Sequence, residues 1–213
     1  MKSFSTILDY IFYKKCYFCS NKARQELICD KCFKKIKSTG FRKNKKVNGI
    51  EILGYYFYKD EILHLIRAVK YHNKKEMAGI IAKIITELAG KDCFSDKNTE
   101  LIPVPLHKKR QDKRKYNQTE LISEEISLLT GCKTNKDLIK RVKNTRPHYK
   151  LKQRERRENL RGAFKVNPEF YTGTPLIILD DISTTGVTME FLIAELKKHN
   201  INNVKALVIA FAS

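Results

Sequence analysis

The chain has 213 residues, enough for one substantial hydrophobic core and a small appendage but not for two full-size domains. Hydrophobic residues make up 42% and charged residues 31%, a balance that suits a globular chain and excludes a disordered or collagen-like one. Lys and Arg number 43 against 23 Asp and Glu, leaving +20; a polyanion is the partner class to expect, with an unpartnered basic surface as the plainer alternative.

At the N-terminus, "MKSFSTILDYIFYKKC" repeats apolar residues at helical spacing over residues 3 to 14, which predicts a short amphipathic helix. Asp9 interrupts it, no small-residue cleavage site follows, and no run of about 18 uncharged apolar residues exists anywhere, so neither a secretory leader nor a membrane span is expected. The expected compartment is the cytosol, with any association at the inner face of the membrane made through partners. Its reducing conditions direct the six cysteines toward metal rather than disulfides.

"CYFC" and "CDKC" follow, a C-x2-C pair, nine residues and a second C-x2-C pair. Four thiolates at Cys16, Cys19, Cys29 and Cys32 can surround one tetrahedral Zn2+ at roughly 2.3 Å, and four protein ligands leave no open position, so the role is structural. An iron–sulfur cluster or a redox dithiol would use the same residues, and the two symmetric knuckles fit zinc better. Cys93 and Cys132 have no companion spacing and read as core residues. Residues 1–40 are therefore expected to form a helix plus a zinc finger of the ribbon or knuckle type, residues 41–49 a basic linker, and residues 50–213 the main domain.

The main domain opens on the strand "GIEILGYYFY", followed by two helices separated near His72 and Asn73, and by the short strand "ELIPVPL". "NQTELISEEISLLTG" reads as a helix ending at Gly131. A basic, weakly periodic stretch from about residue 139 to 161 precedes the strand "PLIILD", a helix starting near Gly186 and the closing strand "NVKALVIAFA". Alternation of strand and helix predicts an α/β fold, a parallel sheet flanked by helices.

The strand "LIILD" runs into a second acid and the loop "ISTTGVTM". In an open parallel sheet, ligands bind where loops leave the carboxyl ends of strands. Thr184, Thr185, Gly186 and Thr188 supply hydroxyls and amides at a helix start, where an anion is favoured. Asp180 and Asp181 can accept hydrogen bonds from vicinal hydroxyls beside that anion. Phosphate next to a diol describes a ribose 5-phosphate.

These residues resemble the phosphoribosyl pyrophosphate (PRPP) signature of type I phosphoribosyltransferases. The resemblance implies that Asp180 and Asp181 hold the ribose hydroxyls, that Ser183 through Thr188 wrap the 5-phosphate, and that Mg2+ accompanies the pyrophosphate. "PVPLHKKRQDKRKYNQ" (103–118) and "TRPHYKLKQRERRENLRGAFKV" (145–166) resemble the motifs of the competence-associated ComF family, and with the cysteine module the similarity covers nearly the whole chain. Lys115 stands where that family usually has Gly, which removes the residue on which a tight turn there relies, and His148 stands where it usually has Gln.

Positive charge is concentrated in two stretches. Lys108, Lys109, Arg110, Lys113, Arg114 and Lys115 occupy the loop after the "ELIPVPL" strand, and the second cluster runs from Lys140 through Arg146 and Arg156 to Arg161. One pyrophosphate cannot use so many cations. With Tyr116, His148, Tyr149 and Phe164 among them, the mixture suits single-stranded nucleic acid, and Lys108, Lys109, Arg110, Arg114, Arg146 and Arg161 are the candidate pyrophosphate and DNA contacts. The ComF resemblance implies a role in DNA uptake during natural transformation, binding PRPP and single-stranded DNA alongside other uptake and recombination proteins. The competing expectation is a phosphoribosyltransferase of nucleotide metabolism, resembling amidophosphoribosyltransferases, although no base-binding hood is recognisable.

Overall fold

The computed structural model describes residues 14–23, 27–145 and 153–212. The chain divides into two compact units between Gly40 and Phe41. In the first unit, β1 (Lys14–Lys15) and β2 (Lys22–Ala23) pair antiparallel, and α1 (Asp30–Ser38) follows. Among the described residues of this unit, Cys16, Ala23, Ile28 and Ile36 are buried. The helix expected over residues 3 to 14 lies almost wholly outside the described residues.

The second unit is built on a six-stranded sheet. Its strands are β3 (Lys43–Val47), β4 (Ile50–Phe57), β5 (Glu100–Pro103), β6 (Lys133–Thr134), β9 (Leu176–Ser183) and β10 (Val204–Phe211), in the spatial order β3-β4-β10-β9-β5-β6. All neighbours are parallel except β3 and β4. The expected α/β class with a parallel-dominated sheet is therefore what the chain adopts. β9 and β10 are near-continuous apolar runs because helices cover both of their faces.

Residues 41–49 depart from the expected linker, since five of them form the edge strand β3. Lysines and asparagine carry little strand preference of their own, and the pairing comes from the turn. Asn48 and Gly49 both adopt left-handed backbone (φ +48° and +78°), as a two-residue hairpin turn requires, and they align Val47 with Ile50.

Two helices, α2 (Asp60–Tyr71) and α3 (Met77–Cys93), connect β4 to β5; α4 (Lys108–Arg114) and α5 (Gln118–Thr130) connect β5 to β6. The expected basic loop after β5 is thus largely helical. Lys115 itself takes the left-handed conformation (φ +69°) that ends α4, so the turn forms without glycine, at a backbone cost of about 1–2 kcal/mol. An antiparallel pair of β7 (Ile139–Arg141) and β8 (Phe164–Val166), with α6 (Gln153–Leu160) in the connection between the two strands, precedes β9. Finally α7 (Val187–Lys197) joins β9 to β10.

The direction of these connections creates the site. From β5 the chain moves outward to β6, and from the adjacent β9 it moves the other way to β10. Right-handed crossovers then place α5 and α7 on opposite faces of the sheet. On the α7 face, Leu176, Ile178, Val187, Leu192, Leu196 and Val208 form one buried cluster with Ile139, Leu160 and Phe164. On the other, α3 packs along α5. Between the carboxyl ends of β5 and β9 the two connections diverge and leave a crevice.

Candidate functional site

Asp180 and Asp181 lie at the carboxyl end of β9, beside that crevice. Successive side chains of a strand point to opposite faces, so the two neighbours in sequence meet different parts of the protein while both stand at the strand's end. Asp181 is buried toward α2 and α5, where Lys70 Nζ stands 2.7 Å and Gln118 Nε2 2.8 Å from its Oδ2. Asp180 shares the parity of Leu176 and Ile178 and is half-buried on the α7 face, with its Oδ1 accepting the Asp181 amide at 2.9 Å. Each carboxylate therefore spends one oxygen on the protein. Among the described residues the second oxygen of each has no hydrogen-bond donor.

Burial, then the neighbouring Asp181 carboxylate, push the Asp180 carboxyl up to about 8, while Lys70 and Arg141 pull the other way. Between the ordinary aspartate value of 3.8 and about 8, the folded chain holds a proton that the unfolded chain releases, so stability falls as pH rises through that window. Asp180→Asn is expected to flatten this slope and to gain about 0.5–2 kcal/mol at the alkaline end, as functional carboxylates often do when neutralised. Urea unfolding of both proteins at about pH 5 and about pH 8 checks it, and an unchanged slope would refute the assignment.

Cations ring the same crevice. Arg114 NH1 donates to Gln118 Oε1 at 2.8 Å, so Gln118 links Arg114 to Asp181. Arg110 donates to the Thr145 carbonyl at 2.6 Å, and burial followed by the Arg114 charge lowers its pKa. Arg141 donates to the Thr145 hydroxyl, and burial followed by Arg110 brings its guanidinium down to about 10. Its Nε is buried without a hydrogen-bond partner among the described residues. Guanidinium groups that depress one another mark a place where an added anion is favoured.

The loop after β9 supplies the other half. Gly186 sits at φ +81°, and α7 starts behind it with no side-chain cap. The amides of its first turn thus lack intrahelical acceptors and face the positive end of the helix dipole. Arg156 NH1 donates to the Thr184 hydroxyl at 2.8 Å, and Lys45 of β3 donates to the Thr184 carbonyl. Glu190 accepts two bonds from Arg157, at 2.8 and 2.6 Å, and one from Asn48 at 2.8 Å. These bonds hold α6 and the β3–β4 turn against the start of α7. Thr185 and Thr188 are half-exposed there, and Ser183 is buried with its carbonyl accepting from Ala212.

Of the basic residues expected at the site, Arg110 and Arg114 join the crevice. Lys108 and Lys109 are exposed on the first turn of α4, and Arg161 is exposed after the end of α6, where its carbonyl accepts from Lys143. Arg146, His148 and Tyr149 lie outside the described residues. Tyr116 and Phe164 are buried rather than displayed, the Tyr116 hydroxyl donating to the Val69 carbonyl.

Sequence reasoning did not single out Lys70 or Gln118, and it missed Lys45. Gln118 had a signal in "YNQTE". Asn117 caps α5 by accepting from Thr119, and its amide donates to the Val104 carbonyl at 3.1 Å, which ties the helix start to the end of β5 and aims the next residue at Asp181.

In the first unit, Cys16, Cys19, Cys29 and Cys32 bring their sulfurs within 4.8 Å of one another, and this cluster can hold a metal ion. The Cys19 and Cys29 sulfurs are 3.6 Å apart. An ideal tetrahedral tetrathiolate site with zinc–sulfur bonds has edges of ~3.8 Å, which that pair matches closely. Burial would raise the Cys16 thiol, yet backbone amides of Cys29, Cys19 and Phe18 lower it to about 6, while burial and the other three sulfurs push Cys32 up, so one sulfur of the cluster takes the negative charge first. Cys93 and Cys132 are buried elsewhere.

No protein-family model matches the chain. Competence protein F of Haemophilus influenzae is 29% identical over 167 residues, covering 76% of this chain and 72% of that protein. The chain is similar in sequence to ComF-type competence proteins. DNA utilization protein YhgH of Escherichia coli K12 is 26% identical over 154 residues, and competence protein ComFC of Bacillus subtilis 26% over 136. The chain spans 66% of YhgH and 53% of ComFC. Its structural neighbours include adenine phosphoribosyltransferase from Saccharomyces cerevisiae (12% identity, 85% of this chain and 88% of that one, TM-score 0.40) and orotate phosphoribosyltransferase from Aeropyrum pernix (18%, 85% and 80%, TM-score 0.37). At those scores the likeness adds nothing to the strand order and register described above. Among the described residues no helix is long and apolar enough to cross a membrane.

Proposed function

We propose that this chain acts in DNA uptake during natural transformation, binding phosphoribosyl pyrophosphate and single-stranded DNA, with Zn2+ as the structural ion of its four-cysteine unit. The observation that carries the reading is the crevice at the divergence of β5 and β9. It combines two carboxylates, each with one oxygen left for a ligand hydroxyl, and an anion-binding loop at Gly186. The depressed guanidinium groups of Arg110 and Arg141 add a demand for negative charge.

In this reading the free oxygens of Asp180 and Asp181 accept hydrogen bonds from the vicinal ribose hydroxyls, and the loop from Ser183 to Thr188 receives the 5-phosphate. Arg110 and Arg141 face the pyrophosphate, which Mg2+ would accompany as an oxygen-ligated cation. The remaining exposed cations, including Lys108, Lys109 and Arg161, serve the phosphates of a single strand. The role in uptake is supported by the names of the relatives, competence protein F and ComFC.

Titration with phosphoribosyl pyrophosphate and with a labelled single strand, each alone and each in the presence of the other, tests both ligands and their coupling. Single-strand affinity is expected to fall with salt at a log–log slope of about −0.7 per phosphate neutralised. Asp180→Asn and Asp181→Asn are expected to weaken the phosphoribosyl ligand selectively. Weak, salt-independent DNA binding would overturn the nucleic-acid half, and indifference of the phosphoribosyl ligand to both substitutions would overturn the other.

A further inference from the structure

We infer that Tyr71 is a stacking platform for one unpaired base of a single-stranded nucleic acid, set at the rim of the carboxylate crevice. This inference rests on the reading of the chain as a single-strand binder and assigns that binding a place. Tyr71 ends α2 and is 62% exposed, the most exposed aromatic ring among the described residues.

Its surroundings name the partner. The Arg114 guanidinium lies over the ring, 5.2 Å from its centroid, and is itself held by Gln118. Next in sequence come exposed Lys74 and Lys75, the latter over the Tyr116 ring at 4.9 Å. A flat ring with a guanidinium on it, inside a field of lysines, combines the two elements that bind single strands: a surface for a base and cations for the flanking phosphates. Duplex DNA does not meet this demand, because its bases are already stacked on one another.

The position matters as much as the chemistry. One hydrogen-bonded path runs from Arg114 through Gln118 to Asp181, and Lys70, the residue before Tyr71, closes on the same carboxylate. A base on Tyr71 therefore sits beside the residues that the phosphoribosyl reading assigns to the ribose.

The test is fluorescence anisotropy of the full chain, as wild type, Tyr71→Ala and Tyr71→Phe, with a labelled oligothymidylate and with an abasic strand of equal length. Loss of the ring should weaken oligothymidylate binding on the order of 10-fold, whereas Tyr71→Phe should bind within about 2-fold of wild type. On the abasic strand the three proteins should bind alike. Wild-type affinity in Tyr71→Ala, or an equal loss on the abasic strand, overturns the inference and leaves single-strand binding standing. Absence of wild-type binding at low salt overturns the underlying reading itself. Photocrosslinking of wild-type protein to an iodouracil strand gives a readout that needs no variant, and crosslinks mapping away from Tyr71 count against the platform.

Discussion

Lys70→Met is expected to cost about 3–5 kcal/mol of stability, more than any other single replacement at the crevice. The Lys70 amine is 2.7 Å from Asp181 Oδ2, with side-chain exposures of only 12% and 4%. Removing the amine leaves a buried carboxylate supported on that oxygen by Gln118 alone. For a unit of this size each kcal/mol corresponds to about 2–4 °C, so thermal unfolding should shift visibly. The double variant Lys70→Met with Asp181→Asn should recover most of the loss, because it removes the stranded charge. Urea unfolding of the four proteins of the cycle supplies the measurement. A loss below about 1 kcal/mol for Lys70→Met alone would show the pair to be screened by solvent, like an ordinary surface ion pair.

The second large effect is expected at Gly186. A Cβ there would stand 2.6 Å from Val47 Cγ2 and 2.8 Å from Ile52 Cδ1, and the backbone is left-handed at φ +81°. The conformational penalty of about 1–2 kcal/mol and an overpacking penalty of about 1–3 kcal/mol act together, so Gly186→Ala should lose roughly 2–5 kcal/mol. The clash also pushes the loop away from β3 and β4 and misaligns the amides that open α7. Binding of phosphoribosyl pyrophosphate should therefore fall by more than in any variant of Thr184, Thr185 or Thr188, which each remove one hydroxyl. Calorimetric titration compared with the unfolding midpoint separates the two losses, and full affinity in Gly186→Ala would contradict the placement of the 5-phosphate.

Legibility in the sequence followed the strength of local pattern. Both helices between β4 and β5, the helix after Asn117 and the strands ending in "LIILD" and "VIAFA" carry long apolar periodicities, and they form where those periodicities place them. β3 was hidden because its residues are Lys, Asn and Val, and only the Asn48-Gly49 turn announced the pairing. The β7–β8 pair was equally obscure, since each strand has three residues, too short for alternation to register.

At the candidate site, Asp180, Asp181 and Gly186 could be read together because they fall within one stretch of seven residues. Lys70 comes from 111 positions before Asp181 and looked like one more lysine on an amphipathic helix; its value depends on where α2 ends relative to β9, which no local pattern encodes. The aromatic contribution was misread for a related reason. Tyr116 lies among lysines in sequence but turns inward to bond the Val69 carbonyl, whereas Tyr71 stays in solvent. Neighbourhood along the chain reports composition, and burial decides which rings remain available.

The two margins of the six-stranded sheet carry a consequence for how copies of this chain meet one another. One margin is β6, a stub of two residues; the other is β3, where exposed Lys43 and Lys46 set like charges beside the outer backbone. A strand from a second copy finds too little ladder on one side and electrostatic repulsion on the other. The sheet therefore stops at six strands, and at high concentration it resists the edge-to-edge growth that leads to fibrils.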